Sequence, residues 1–282
     1  MSTTSKGFRA SSVAVHLLLI AGALVMIYPL LWMVGASLKQ PDDIFGNASL
    51  FPTEFQWSNY VDGWWALEYG FGRFFANSFL ISILCVIGNV LSCSLAAYAF
   101  GRLRFRFRNF WFAVMLLTLM LPIHVLIVPQ YVLYNYLGWI NTYLPLTVPH
   151  FLAADAFFIF LMVQFIRTLP PELDDAARID GCGPIQIYAR IMLPLMSPAL
   201  VTTAIFTFIW SWDNFFSQLI FLSDTESYTV PLGLRGFIDV SGSSNWGPMF
   251  AMATLALVPV FVFFLVFQRR ITEGISTTGL KT

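Results

Sequence analysis

Residues 167–197 read RTLPPELDDAARIDGCGPIQIYARIMLPLMS, about 30 residues of polar helical sequence between two strongly apolar runs. That is long for a connection between packed helices, and it has a helical grammar of its own. Pro170 and Pro171 stand where a helix can begin, because proline at the first position forfeits no needed N–H. Glu172, Asp174 and Asp175 crowd the first turn, where carboxylates meet the positive end of the helix dipole. Asp174 and Arg178 have the i,i+4 spacing of an ion pair. Leu173, Ala176 and Ala177 share a face on which the alanines permit close approach of another surface. Gly181 supplies the stop. Tyr188, Ile191, Met192 and Leu195 then repeat at helical intervals before Pro198, an amphipathic elbow that also contains Pro194. The stretch predicts a short exposed helix, a turn and an elbow.

Working outward, the flanks are lipid-grade. Hydrophobic residues make up 58% of the 282 and charged ones 11%, against about 45–50% and 25% in a soluble domain. A bilayer core takes about 20 apolar residues per helix. Six runs qualify, at 13–36, 75–100, 110–129, 144–166, 198–222 and 248–267. The first is too long for a signal-peptide core and no small-residue cleavage site follows it, so it reads as a retained span. The expectation is an all-α membrane protein of six transmembrane helices forming one domain over 1–282, with 167–197 as a loop.

Charge sets the orientation. Lys6 and Arg9, Arg102, Arg104, Arg106 and Arg108, Arg167, Arg178 and Arg190, and Arg269, Arg270 and Lys281 fall on one side. Lys39, Arg73 and Arg235 fall on the other. Twelve against three places both termini in the cytoplasm. The arginines at 102–108 read as topology determinants and lipid contacts. The outward segment 37–74 carries Trp57, Tyr60, Trp64, Trp65 and Tyr69, as an interfacial belt would. The outward segment 223–247 is polar and Gly-rich, with Tyr228, Arg235, Asp239 and Trp246.

Asp175-Ala176-Ala177, three residues, Gly181, nine residues, then Ile191-x-Leu193-Pro194 resembles the hallmark of the permease subunits of binding-protein-dependent ABC importers. The family has Glu where Asp175 stands. NSFLIS at 77–82, AAYAFGR at 96–102, FIWSWDNFF at 208–216, PLGL at 231–234, Trp246-Gly247 and the tail 267–282 are similar to the carbohydrate branch, in family order. Within it the chain resembles the smaller paired permease of the maltose and glycerol-phosphate types.

The resemblance implies a type I importer permease fold in a bacterial inner membrane and a division of labour. A second homologous permease completes the pathway, a dimer of ATP-binding subunits holds ATP and Mg, and a periplasmic or extracellular sugar-binding protein delivers cargo. The chain itself binds no cofactor and catalyses nothing. Glu172, Asp174, Asp175, Ala176, Ala177, Arg178, Asp180, Gly181, Ile191, Leu193 and Pro194 would form the ATPase-coupling segment. A secondary transporter or channel acting without an ATPase is the alternative, and a non-transporting scaffold subunit a further one.

Negative evidence agrees. No lysine follows a glycine in P-loop order, and His16, His124 and His150 are too scattered for a metal site. Nor is there a GxSxG elbow. Cys85 and Cys93 are too far apart along a helix for a disulfide. Polar residues inside spans mark the pathway, since burying a charge there costs about 2.5–3.5 kcal/mol or more. The candidates are His124, Asp155, Asp213 and Asn214, with Trp210 and Trp212 as faces for sugar rings. Their other readings are a helix cap for Asp155, bonds to the partner permease for Asp213 and Asn214, and packing for His124 and the tryptophans. The 228–246 segment meets the delivering protein or forms a lid, and 278–281 reaches the ATPases or stays free.

Overall fold

The computed structural model describes residues 5–47, 49–238 and 245–278, and every regular element among them is helical. Asp239 and Lys281 lie outside the described residues, as do the side chains of Lys6, Arg9, Arg269 and Arg270. Four helices are long and apolar enough to cross a bilayer: Ser12–Ala36, Phe71–Arg102, Leu144–Thr168 and Trp246–Gln268. They cover the expected runs at 13–36, 75–100, 144–166 and 248–267. A fifth candidate is a bent pair, Pro184–Leu195 with Ser197–Trp212, turning by 75°.

The other two expected runs are not single unbroken helices. The run at 110–129 is two helices, Arg108–Thr118 and Ile123–Tyr136. Pro122 lacks an N–H and forces its predecessor out of the helical region, so the chain breaks there. The run at 198–222 likewise ends at Trp212 and restarts as Phe215–Phe221. Asn214 makes the restart, its Oδ1 accepting the Ser217 N–H at 3.2 Å as an N-cap. Within 144–168, Leu144–Phe151 and Ala156–Thr168 are parted at Ala153, which has φ +52°.

The chain divides into two compact units. One comprises residues up to Phe71 with Leu234–Ala256. Trp32, Phe45, Trp246 and Phe250 close a ring of edge and stacked contacts within it, the shortest at 5.4 Å. Asn59 donates to the carbonyls of Ser37 and Lys39, each at 3.0 Å, and the fully buried Lys39 ammonium donates to those of Asn47 and Ser49. Trp57 and Trp65 are largely exposed.

The other unit comprises Gly72–Gly233 with the residues from Leu257 on. Its core packs Ala97, Tyr98, Phe158, Met162, Ile166, Met192 and their neighbours without exposure. The motif residues earn their places here. Asn77 donates to the carbonyls of Glu226 and Tyr228, and Ser78 accepts the Val230 N–H, so 77–78 pin the segment 226–230 to the Phe71–Arg102 helix. Arg73 adds an ion pair to Glu226. At Gly101 a Cβ would meet Ile166 at 2.8 Å, which is why the turn before Arg102 has none.

Candidate coupling and transport sites

Glu172–Ile179 is helical, as its acidic first turn predicts. Its stop is a Schellman closure. Cys182 N–H reaches Ala177 O at 2.9 Å, Gly181 N–H reaches Arg178 O at 3.0 Å, and Gly181 sits at φ +79°. The two faces of the helix differ. Asp174 and Ala177 are buried, whereas Glu172, Leu173, Asp175, Ala176, Arg178, Ile179 and Asp180 are exposed. Ile179 is 87% exposed and Ile185, just past the turn, 82%. A short helix that turns acids and bare isoleucines outward offers a surface for another protein.

The inward face holds a contact that the spacing did not suggest. Asp174 does not pair with Arg178: its Oδ2 lies 3.1 Å from Nε of Arg102, and Arg178 instead reaches Asp175 Oδ1 at 3.1 Å. Both side chains of the Arg102–Asp174 pair are almost entirely buried. Arg102 Nη2 also donates to the carbonyls of Ile166 at 3.1 Å and Leu169 at 2.7 Å, at the C-terminal end of the Ala156–Thr168 helix. One guanidinium thus ties three helices together, so Arg102 is no mere topology signal. The only sequence cue was its place at the end of AAYAFGR.

The elbow follows. Gly183 N–H is held by Gln186 Oε1 at 2.9 Å, and Pro184 opens a helix that widens into a π-helical turn over Tyr188–Met192. The turn presses Met192 into the core and sets the Tyr188 hydroxyl 2.7 Å from Ser94 Oγ. Ile191 packs against the same core and Leu193-Pro194 carries the chain into the 75° bend.

Four of the six expected pathway residues converge. His124, Trp210, Asp213 and Asn214, with Phe216 and Ser217, line a groove of about 370 Å³, within the range of small-molecule sites. The His124 ring stands edge-on to Phe216 at 5.0 Å. Asp213 is exposed at the break between Trp212 and Phe215. Asp155 lies in an adjoining cavity of about 80 Å³, which shares Trp210 and Asn214 with the groove. There Asn89 Nδ2 donates to Asp155 Oδ2 at 3.2 Å and to Thr207 Oγ1 at 3.1 Å. That space suits a few waters. Trp212 belongs elsewhere: it is buried, stacked on Phe208 at 5.7 Å and edge-on to Phe79 at 4.9 Å. Phe216 and Ser217 were not among the expected pathway residues; Phe216 closes the FIWSWDNFF motif and Ser217 had only its place about one turn beyond Asp213 to mark it.

Comparison with known proteins gives this geometry its setting. Residues 88–277 match the family model described as the binding-protein-dependent transport system inner membrane component. The chain belongs to that family. It is 34% identical to the arabinooligosaccharides transport system permease protein AraQ of Halalkalibacterium halodurans, over 92% of each chain. It is also 34% identical to the sn-glycerol-3-phosphate transport system permease protein UgpE of Yersinia pestis, over 95% of this chain and 96% of that one. A crystal structure of a bacterial ABC transporter involved in the import of the acidic polysaccharide alginate contains a chain of the same fold, with TM-score 0.82 at 21% identity, covering 95% of this chain and 99% of that one. The permease is therefore a multi-pass inner membrane component of an ABC importer, and hydrolysis belongs to a separate subunit.

Proposed function

We propose that this permease moves a sugar or sugar derivative inward by alternating access, driven through the Glu172–Ile179 helix. Its single membrane domain, 1–282, crosses the bilayer six times with both termini in the cytoplasm. A second homologous permease completes the pathway, a dimer of ATP-binding subunits carries ATP and Mg, and an external binding protein delivers the cargo. The observation that carries this reading is the two-faced helix: Ala177 and Asp174 fastened inward, Leu173, Asp175, Ala176 and Ile179 bare outward. A helix gripped from outside and fixed within moves as one body with the spans behind it, so closure of the ATPases biases a two-state gate. The coupling set runs from Glu172 through Arg178, Asp180 and Gly181 to Ile191, Leu193 and Pro194, the last three transmitting the tilt through the elbow.

The decisive experiment is Asp175→Lys in the complete transporter, reconstituted with ATP inside the vesicles. Asp175 is exposed and paired only along its own helix, so the variant inserts and folds. The expected result is uptake reduced by roughly tenfold or more, about 1.4 kcal/mol, with ATP hydrolysis no longer raised by cargo-loaded binding protein. Uptake at the normal rate would remove the coupling role.

The cargo side rests on the groove. Asp213 and Asn214 accept and donate to hydroxyls while Trp210 and Phe216 offer flat faces to C–H-rich ring surfaces; His124 closes one wall, and Asp155 lines the adjoining cavity with Asn214. The systems to which AraQ and UgpE belong, for arabinooligosaccharides and for sn-glycerol-3-phosphate, support a sugar or sugar derivative as cargo. Asp213→Ala is expected to raise the apparent KM for uptake by about tenfold, the worth of one charge-assisted hydrogen bond at about 1.5 kcal/mol. Cargo-independent ATP hydrolysis should be unchanged. An unaltered KM would move the contact to the partner permease.

A further inference from the structure

We propose that the turn from Leu103 to Phe110 is a binding site for the headgroup of an anionic phospholipid. Phe71–Arg102 has 32 residues, so it is about 48 Å long, well beyond the ~30 Å hydrocarbon core. Its apolar run ends at Phe100, and Arg102, Arg104, Arg106 and Arg108 follow. The turn therefore belongs at the edge of the hydrocarbon core, at the headgroups of whichever leaflet that end faces.

The chemistry of the turn is that of a phosphate cradle with acyl-side anchors. Arg104, Arg106 and Arg108 alternate with Phe105 and Phe107, and no acid occurs between Leu103 and Phe112. Arg104, Phe105, Phe107, Arg108, Asn109 and Phe110 line one groove of about 510 Å³. Arg108 Nη1 is held by Leu103 O at 3.2 Å, which fixes the turn and keeps the guanidinium at its mouth. Arg106 stacks over the Phe107 ring at 4.9 Å, and Arg167, from the end of the Ala156–Thr168 helix, lies over Phe112 at 5.3 Å. Four cations thus border a patch in which Phe105, Phe107, Phe110 and Trp111 are all exposed.

One of these features is unfavourable in water: bare aromatics want an apolar or interfacial medium. That is accounted for when the rings enter the boundary between headgroup and acyl chain. Guanidinium forks then meet the phosphodiester with paired hydrogen bonds. A zwitterionic lipid offers the same phosphate but brings its own cation, so a net negative headgroup is the matched ligand.

The test uses the assembled transporter in nanodiscs of mixed phosphatidylcholine and phosphatidylglycerol, with retained lipid read by native mass spectrometry. Phosphatidylglycerol should be retained in clear excess over its share of the mixture. Arg104→Gln with Arg106→Gln should lose about fivefold per arginine removed, with the unfolding temperature unchanged. Arg190→Gln, a cation outside the groove, should retain lipid as the unmodified protein does. Equal retention of the two lipids by the unmodified protein overturns the proposal without any variant. An equal loss from Arg190→Gln would make the attraction diffuse and overturn the site. Displacement of the lipid by millimolar inorganic phosphate would make it a free-anion site and overturn the lipid assignment.

Discussion

Replacing Arg102 by alanine is expected to destabilise the permease by about 3–5 kcal/mol, the cost of stranding one member of a buried ion pair, and to abolish coupled uptake. The argument is geometric. Arg102 makes three contacts from one planar group: an ion pair to Asp174 at 3.1 Å and hydrogen bonds to Ile166 O and Leu169 O. Alanine leaves a buried carboxylate without its countercharge and Leu169 O without the guanidinium donor, while Ile166 O keeps the Leu169 N–H. Burial already pushes the Asp174 carboxyl above the usual carboxylate range, and Arg102 and then Arg178 pull it back. Without Arg102 the folded value rises further above the unfolded one. The sign then follows: the folded state holds the proton more tightly, so the added loss of stability grows as pH rises through the folded value and is smallest in acid.

Thermal unfolding in detergent at acid and neutral pH checks this directly. Arg102→Ala should be closest to the unmodified protein at the lower pH. Combining it with Asp174→Asn should recover part of the neutral-pH loss, because the orphaned charge is gone, and with Asp174→Asn alone measured as well the cycle gives the coupling energy of the pair. Uptake should stay low in the double variant, since the tie from the Glu172–Ile179 helix to the Phe71–Arg102 helix is still cut. An unfolding temperature indifferent to Arg102→Ala, or a double variant no better than the single at neutral pH, would show that the pair bears no strain.

The contrast between Asp174 and Arg178 shows where the sequence was readable and where it was not. Local rules located the Glu172–Ile179 helix, its acidic first turn and its glycine stop, because those features depend on neighbours within one turn. The same rules paired Asp174 with Arg178, and there they failed. The true partner, Arg102, lies far away in the chain, and no spacing rule reaches it. The spans repeat the lesson. Ser12–Ala36, Phe71–Arg102 and Trp246–Gln268 are uninterrupted apolar runs and were legible. Hydropathy averages over single residues, so it hid the breaks at Pro122 and Asp213–Asn214, where one missing N–H or one capping amide outweighs a windowful of leucines. The groove was half legible for a related reason. Polar residues at lipid depth are rare enough to flag His124, Asp213 and Asn214. The two tryptophans of WSW could not be told apart, because which faces the groove depends on Phe208 and Phe79 packing against Trp212.

Gly181 provides the second large effect, and two substitutions separate its causes. A Cβ at 181 would meet nothing within 4 Å, so Gly181→Ala carries only the backbone cost of φ +79°, about 1–2 kcal/mol. The helix keeps its closure, and uptake should stay within a few fold of normal. Proline cannot adopt that φ at all, being locked near about −65°, and it removes the N–H that reaches Arg178 O. The turn must then reopen, Cys182 N–H leaves Ala177 O, and the exposed face carrying Ile179 and Ile185 no longer holds one orientation relative to the clamped Asp174. Gly181→Pro should therefore insert and survive, since the spans do not depend on this turn, but cargo uptake should fall by roughly tenfold or more, about 1.4 kcal/mol at the coupling step. ATP hydrolysis by the partner subunits should continue without responding to cargo. Paired measurements of hydrolysis and uptake in the same vesicles decide it. If Gly181→Pro transports as well as Gly181→Ala, the orientation of this helix is not what carries the motor's stroke to the gate.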